Sequence, residues 1–408
     1  MGENILSLFA ASKLKQNRRM IGFIGAACSL AVVYAASSAP IPLYTIYRQA
    51  IGFTSADFSL SAVSYFAGTV IALLMFARVS NYLGRRPVAM VTLGLTALGC
   101  LIFVYMHNAS MFFTGRFVQG VACGLASSTI AAYVVDNAPA APGWIGAAVT
   151  SGAPMIGLAA GAFGSGALKE YGSGSLALIF GILLVMLAGC AALIAAGPET
   201  VTRTGGVVAS LVPQIRVRKE LRRFLPAATS TFIGTWAIGG FYQAFSSSLA
   251  AEQLHTTNTL VAAAVFACLM APNAIGGSLS GRLKPDVAQR VGMVAFCLCV
   301  AAILVSLKAG TILPFLMTSI FAGVAWGAAF TGSMRGLLDK TSQADRAGVL
   351  STIFLISYSG AAVPNLVVGK LASYFSLFEI AEGYGLLVTV ACIITLFTAC
   401  RDTGQSIF

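Results

Sequence analysis

The sequence predicts an all-α membrane protein of twelve transmembrane helices in two pseudo-symmetric six-helix bundles, and three observations predict it. The 408 residues are 58% hydrophobic and only 9% charged, with a mean hydropathy of +0.86, which leaves too few polar side chains to cover a water-soluble surface. Apolar runs of the roughly 20 residues needed to cross about 30 Å of hydrocarbon recur about twelve times, with short links between them. The third observation is repetition. Ala77-Arg78-Val79-Ser80-Asn81 follows one apolar run and Gly277-Ser278-Leu279-Ser280-Gly281 another, and each leads through a basic turn into a further run. Gly120-Val121-Ala122-Cys123-Gly124 then recurs as Gly323-Val324-Ala325-Trp326-Gly327. A two-fold repeat of hydrophobic segments is how many solute carriers are built, with the substrate at the interface of the halves.

Charges and Pro or Gly breaks place the first six spans at 21–46, 58–79, 87–106, 110–135, 143–166 and 175–196. The second six fall at 224–248, 257–280, 287–307, 311–335, 347–375 and 379–400. The resulting organisation is a tail (1–19), a first bundle (20–197), a basic linker (198–223), a second bundle (224–401) and a short tail (402–408). The linker carries Arg203, Arg216, Arg218, Lys219, Arg222 and Arg223. The 43 glycines read as packing rather than loop, since small residues let membrane helices approach closely. The first apolar run is too long for a signal-peptide core, so no cleaved signal is expected.

The net charge of +12 follows topology. With the N-terminus inside, 20 of the 25 Lys and Arg lie on the inner side, only Arg48, Lys169, Lys308 and Lys370 lie towards the outside, and Arg116 sits within a span. Both termini are therefore expected in the cytoplasm. Juxtamembrane basic segments are explained by topology and anionic lipid, so no nucleic-acid partner is expected. The nine cysteines lie in or at the ends of apolar runs without CxxC spacing, which signals neither a disulfide framework nor a metal site.

The turn from Ala77 to Pro87 contains Gly84-Arg85-Arg86, a tight turn followed by two cations read as held at the inner lipid surface. Arg116-Phe117-Val118-Gln119-Gly120 lies in span four, and Gly152-Ala153-Pro154-Met155-Ile156-Gly157 in span five. These stretches, with Ser37-Ser38-Ala39-Pro40-Ile41-Pro42 in span one, resemble the motifs of the major facilitator superfamily, in its twelve-helix bacterial drug or solute efflux branch. The turn resembles its signature loop, Gly-x-Leu-(Ala/Ser)-Asp-x-x-Gly-Arg-(Arg/Lys), with Ala77 in place of the glycine and Asn81 in place of an aspartate that helps to hold the cytoplasmic side shut. A neutral Asn81 implies a weaker or differently biased gate. Arg116 matches an arginine linked in the family to proton movement. A buried arginine is costly and by default functional, while the alternative is a snorkelling anchor for span four. Pro154 partly resembles the Gly-Pro motif of antiporters, with Ala153 before the proline.

The resemblance implies that spans one, four, seven and ten line a central cavity. The candidate contacts are Tyr34, Ser37, Ser38, Arg116, Gln119, Trp236, Tyr242, Gln243 and Trp326, with Asn273 and Asn365 from spans eight and eleven. The gating and coupling candidates are Asp57, Asn81, Gly84, Arg85, Arg86, Arg116 and Pro154. Asp57 is open to two readings, a titrating group at the outer end of span two or a helix cap after Thr54 and Ser55. His107 and His255 fall in outer loops and are poor proton shuttles. None of the 13 acidic residues falls in mid-span, so a cavity whose formal charge is Arg116 should prefer neutral or anionic amphipathic solutes.

No G-x-S-x-G, HExxH or metal-spaced cluster occurs, so an enzyme is not expected. The expected protein is a monomeric carrier in the bacterial inner membrane, with lipid and a small solute as partners and no cofactor. It would export an amphipathic organic compound by alternating access on the proton gradient. The alternative is uptake or facilitated diffusion of a polar metabolite such as a sugar or organic acid.

Overall fold

The structure is a computed structural model that describes residues 2–139, 145–172, 175–213, 221–341 and 346–399, and the side chains of 2–15, 209, 346 and 347 stand outside that description. Outside it too fall the linker cations Arg216, Arg218 and Lys219, the start of span five at 143, Asp345, Cys400, Arg401 and the tail 402–408. All regular structure among the described residues is helical.

The first half comprises α1 (Gly2–Ser38), α2 (Ser55–Ile71, continued by a π-helical turn), α3 (Arg85–Val104), α4 (Ala109–Leu125, continued through a π-helical turn to Asn137), α5 (Ile145–Tyr171) and α6 (Leu176–Ala196). The second comprises α7 (Leu225–Ser248), α8 (Thr259–Met270 and, after a turn, Asn273–Ser280), α9 (Pro285–Lys308), α10 (Ile312–Leu338), α11 (Arg346–Leu371) and α12 (Leu377–Thr398). In the first half, α1 packs on α5 and α6, and α4 on α2 and α3; in the second, α10 packs on α8 and α9, and α7 on α11 and α12. The halves meet through α2 against α11 and α7, and through α5 against α8.

Three helices depart from the expected spans. α1 ends at Ser38 instead of running to 46, because Pro40 and Pro42 lack the N–H that would continue the ladder. The chain turns through Ile41–Leu43 into a short helix, Tyr44–Ile51, closed by Gly52 at φ +84°. α5 runs on to Tyr171, past the expected end at 166. α8 is interrupted before Asn273 at Ala271-Pro272.

Among the described residues, eleven helices are long and apolar enough to cross a membrane. The expected twelfth, α7, is long enough but carries Ser230, Thr231, Thr235, Gln243 and Ser246 to Ser248. Its burial explains this polarity: from Ala227 to Ala250 almost every residue is covered by neighbouring helices, so little of it needs to match lipid. Its hydroxyls bond inward. Thr231 Oγ1 donates to Ala227 O (2.8 Å), and Gln289 Nε2 donates to Thr231 Oγ1 (2.9 Å).

The repeated Gly-Val-Ala-x-Gly sequence has a physical reason. A Cβ at Gly120 would fall within 3.0 Å of Tyr65 O on α2, and one at Gly124 would lie 2.6 Å from Ala72 Cβ. In the second half, a Cβ at Gly323 would meet Leu269 O and one at Gly327 would meet Asn273 O, both on α8. The same pentapeptide thus presses α4 onto α2 and α10 onto α8, backbone against backbone.

Because the obstructing atom is a backbone oxygen, Gly120→Ala should lower stability by about 1–3 kcal/mol, the usual range for overpacking. Gly94→Ala, where a Cβ would meet nothing within 4 Å, should be neutral or slightly stabilising. Thermal unfolding of the two purified variants in detergent checks the contrast.

Candidate functional site

A cavity of about 130 Å³ lies between the halves. Tyr34 of α1, Tyr65 and Phe66 of α2 and Met155 and Leu158 of α5 form one wall, and Trp236, Gly239 and Gln243 of α7, Asn273 of α8, Trp326 and Phe330 of α10 and Tyr358 of α11 face them. Trp236 is the hub of the aromatic wall: Tyr358 meets it edge-on at 4.6 Å, Trp326 edge-on at 6.0 Å, and Phe330 lies at 6.0 Å. Gly239 leaves room for this packing, since a Cβ there would stand 2.5 Å from Trp326 Cη2. No charged side chain lines the cavity among the described residues. A smaller cleft of about 40 Å³, bordered by Phe224, Asp286 and Gln289, lies wholly within the second half.

Of the nominated contacts, Tyr34, Trp236, Gln243, Trp326 and Asn273 line the cavity. The others take different places. Ser37 and Ser38 turn their hydroxyls back onto α1, to Tyr34 O (2.9 Å) and Ala35 O (3.1 Å). Tyr242 pairs with Ser319 of α10 at 2.8 Å inside the second half. Asn365 is fully buried, donates to Ala361 O, and through its backbone oxygen accepts from Ser59 of α2.

Arg116 stands one layer behind the cavity, 0% exposed, with its guanidinium 4.7 Å from the centre of the Tyr65 ring. It donates to Ser37 O (2.6 Å) and Gln119 Oε1 (2.8 Å), and Gln119 Nε2 donates to Ala36 O (2.8 Å). Because α1 stops at Ser38, Ala36 O and Ser37 O are among the terminal carbonyls left without helical donors. The Arg-x-x-Gln pair therefore caps the broken end of α1, with a cation at a helix C-terminus where the dipole favours it. The snorkelling alternative is excluded by this burial and direction. Nε and Nη2 of Arg116 have no partner.

Sequence reasoning passed over Tyr65, Phe66, Phe330 and Tyr358, because attention fell on polar groups and on spans one, four, seven and ten. The signal was an aromatic in each of two helices that meet across the halves: Phe66 on α2 and Tyr358 on α11 stand 6.0 Å apart.

The two ends of the bundle are held differently. At the end away from the basic turns, bonds cross between the halves. Arg48 donates to Glu252 (2.5 Å) and Ser248 (3.4 Å), Thr45 N donates to Ser247 Oγ (3.1 Å), and Ser247 Oγ donates to Pro42 O (3.3 Å). Glu170 at the end of α5 accepts from Thr259 N (2.9 Å) and Thr259 Oγ1 (3.1 Å) at the start of α8. Asp57 takes the capping reading: it accepts from Thr54 N (2.8 Å) and Thr54 Oγ1 (2.7 Å) and closes a capping box on α2.

At the basic end, the bonds of the signature turn stay within the first half. Gly84 has φ +97°, and a Cβ there would lie 2.7 Å from Glu199 Oε2. That approach lets the Glu199 carboxylate accept from Arg85 N (2.8 Å) and Arg86 N (3.1 Å), an anion on the N-terminus of α3. Arg85 and Arg86, the two cations expected at the inner lipid surface, both bond within the first half. Arg85 Nε bonds Asp136 at 3.2 Å, and Arg86 donates to Ile194 O (3.2 Å) and Ala195 O at the end of α6. Asn81 is exposed. Pro154 lies inside α5 and is buried. Among the described residues no group of three or more His, Cys, Asp or Glu could hold a metal, and every described cysteine is a free thiol.

The arrangement is that of two helical halves about a shared cavity. The model of the Major Facilitator Superfamily matches residues 26–364, and the chain belongs to that family. Its described helices are those of a multi-pass membrane protein of that family. It is also similar to Multidrug resistance protein MdtL of Klebsiella pneumoniae subsp. pneumoniae, 34% identical over 101 residues, which are 24% of this chain and 26% of that protein. The namesake in Klebsiella pneumoniae strain 342 is 32% identical over 101 residues with the same shares. The chain thus spans about a quarter of the length of these curated relatives.

Arg48→Ala should loosen the sealed end. The ion pair is about a third exposed on each side (31% and 38%), so it contributes roughly 0.2–1 kcal/mol and its loss should shift the open and closed populations about five-fold at most. Spin-label distances between positions 49 and 255 measure that shift.

Proposed function

We propose that this carrier exports a small neutral or anionic amphipathic organic solute across a bacterial inner membrane, by alternating exposure of the central cavity. The observation that carries the reading is the cavity wall, shared by both halves, aromatic, and without a charged group among the described residues. Apolar and aromatic walls with a few polar groups are what amphipathic ligands require. Arg116 behind Tyr65, with no carboxylate partner among the described residues, adds a positive field that disfavours cations. The partial match to proteins named for multidrug resistance supports export.

The sequence count of Lys and Arg, 20 of 25 in segments read as cytoplasmic, supports a cytoplasmic side for both termini on this reading. The end sealed by Arg48, Glu252 and Glu170 then faces outward, and the conformation described is closed to the outside. For proton coupling, Glu170 and Glu252 replace Asp57 as the groups to test, since both bond across the halves where a proton would break the contact. The lack of a cavity carboxylate among the described residues favours one second reading, uptake or facilitated diffusion without proton exchange.

Proteoliposomes carrying a pH dye, challenged with cationic, neutral and anionic amphipaths, test both. Neutral or anionic solutes should move protons, and Glu170→Gln should cut the proton movement at least several-fold while solute still binds. Solute flux without proton movement would favour the second reading, and response to cations alone would refute the cavity argument.

A further inference from the structure

We propose that the cavity recognises an uncharged aryl carboxamide, with Gln243 as the residue that reads the amide and the Trp236, Trp326 and Tyr358 wall holding the ring. This rests on the proposed function and names the substrate class of the same site.

Gln243 is 9% exposed, lines the cavity, and its side-chain amide has no hydrogen-bond partner among the described residues, in contrast to Gln119 and Gln289. The amide nitrogen and oxygen of Gln243 are also not among the fully enclosed orphan atoms of the protein, so its residual exposure is exposure to this cavity. A mostly buried amide without a partner costs free energy unless something else meets it. Every other buried glutamine in the described chain is bonded to backbone or hydroxyl, so this one is left for a ligand.

The chemistry of that ligand follows from the amide. A primary amide offers donors on nitrogen and an acceptor on oxygen side by side. A neutral group that satisfies both at once is another amide edge, pairing N–H to C=O in both directions. A carboxylate satisfies only the donors and an ammonium only the acceptor. Asn273 also lines the cavity, and its side-chain amide has no hydrogen-bond partner among the described residues.

The size and wall supply the rest. An apolar cavity of about 150 Å³ binds one benzene ring, and this one, at about 130 Å³ in the conformation described, is of the size class of a single-ring solute. Trp236 and Tyr358 already pack edge to face at 4.6 Å, the geometry that favours a further aromatic ring against them. Gly239 makes that space, because its missing Cβ lets the Trp326 indole lie against α7 instead of in the cavity.

Two of the chain's 3 tryptophans stand at the cavity, so indole fluorescence reports occupancy, in a Trp144→Phe background. The probes are benzamide, benzoate, ethylbenzene and benzylammonium, matched in size, titrated into the protein in nanodiscs. Benzamide should bind tightest of the four. Gln243→Leu should weaken benzamide about ten-fold or more, the loss expected from two unmade hydrogen bonds, and leave ethylbenzene within two-fold. Gln243→Met is the fallback if the leucine variant does not fold.

Equal weakening of benzamide and ethylbenzene would make Gln243 a packing residue and overturn the assignment. Benzoate binding tightest, and unaffected by Gln243→Leu, would overturn the amide reading and leave the neutral-or-anionic export reading standing. Benzylammonium binding tightest would overturn both. No quenching by any probe, in folded protein, would overturn the carboxamide site and leave the flux assay to decide the broader reading.

Discussion

Helices in lipid cannot find each other by hiding apolar surface, because the lipid is as apolar as they are. The fold depends instead on places where backbones touch. At Gly120 and Gly124 α4 lies directly on α2, and at Gly323 and Gly327 α10 lies directly on α8. α5 meets α1 in the same way at Gly157 and Gly161. These contacts fix each cavity wall within its own half: Tyr65 is held by Gly120 and Asn273 by Gly327, and both line the central cavity.

A second consequence is the break in α1. Pro40 and Pro42 end the helix inside the bundle, and the exposed carbonyls of Ala36 and Ser37 must be bonded in a place without water. Arg116 and Gln119 do this from α4. One motif therefore couples the end of α1, the ring of Tyr65 and the short helix that carries Thr45 and Arg48 to the sealed end. The charge this brings into the bundle is kept out of the cavity by a single aromatic ring.

Most of the architecture was legible because its causes are local. Apolar length gives eleven of the spans, the basic turns locate the links, and the Gly-Val-Ala-x-Gly echo marks equivalent crossings. Less was legible in the site. Asn273, Trp236, Trp326, Gln243 and Tyr34 could be nominated because a polar or indole group in a span is conspicuous. Ser37, Ser38 and Tyr242 were conspicuous for the same reason, yet they bond within their own half. Composition cannot tell a hydroxyl that satisfies its own helix from one that faces a ligand. Tyr65 and Tyr358 were missed because whether an aromatic faces lipid, core or cavity depends on how α2 meets α11. Glu199 and Asp136 were missed because the partners of Arg85 and Arg86 lie far along the chain.

The central claim is that one neutral aromatic cavity between the halves holds the solute. The most direct measurement is an experimental structure with a brominated neutral aromatic solute, located by the anomalous signal of bromine. The account predicts a peak between Tyr34 and Tyr65 on one side and Trp236 and Trp326 on the other. A peak instead in the apolar groove of α11 and α12, beside Val367 and Tyr384, with the central cavity empty, would contradict it.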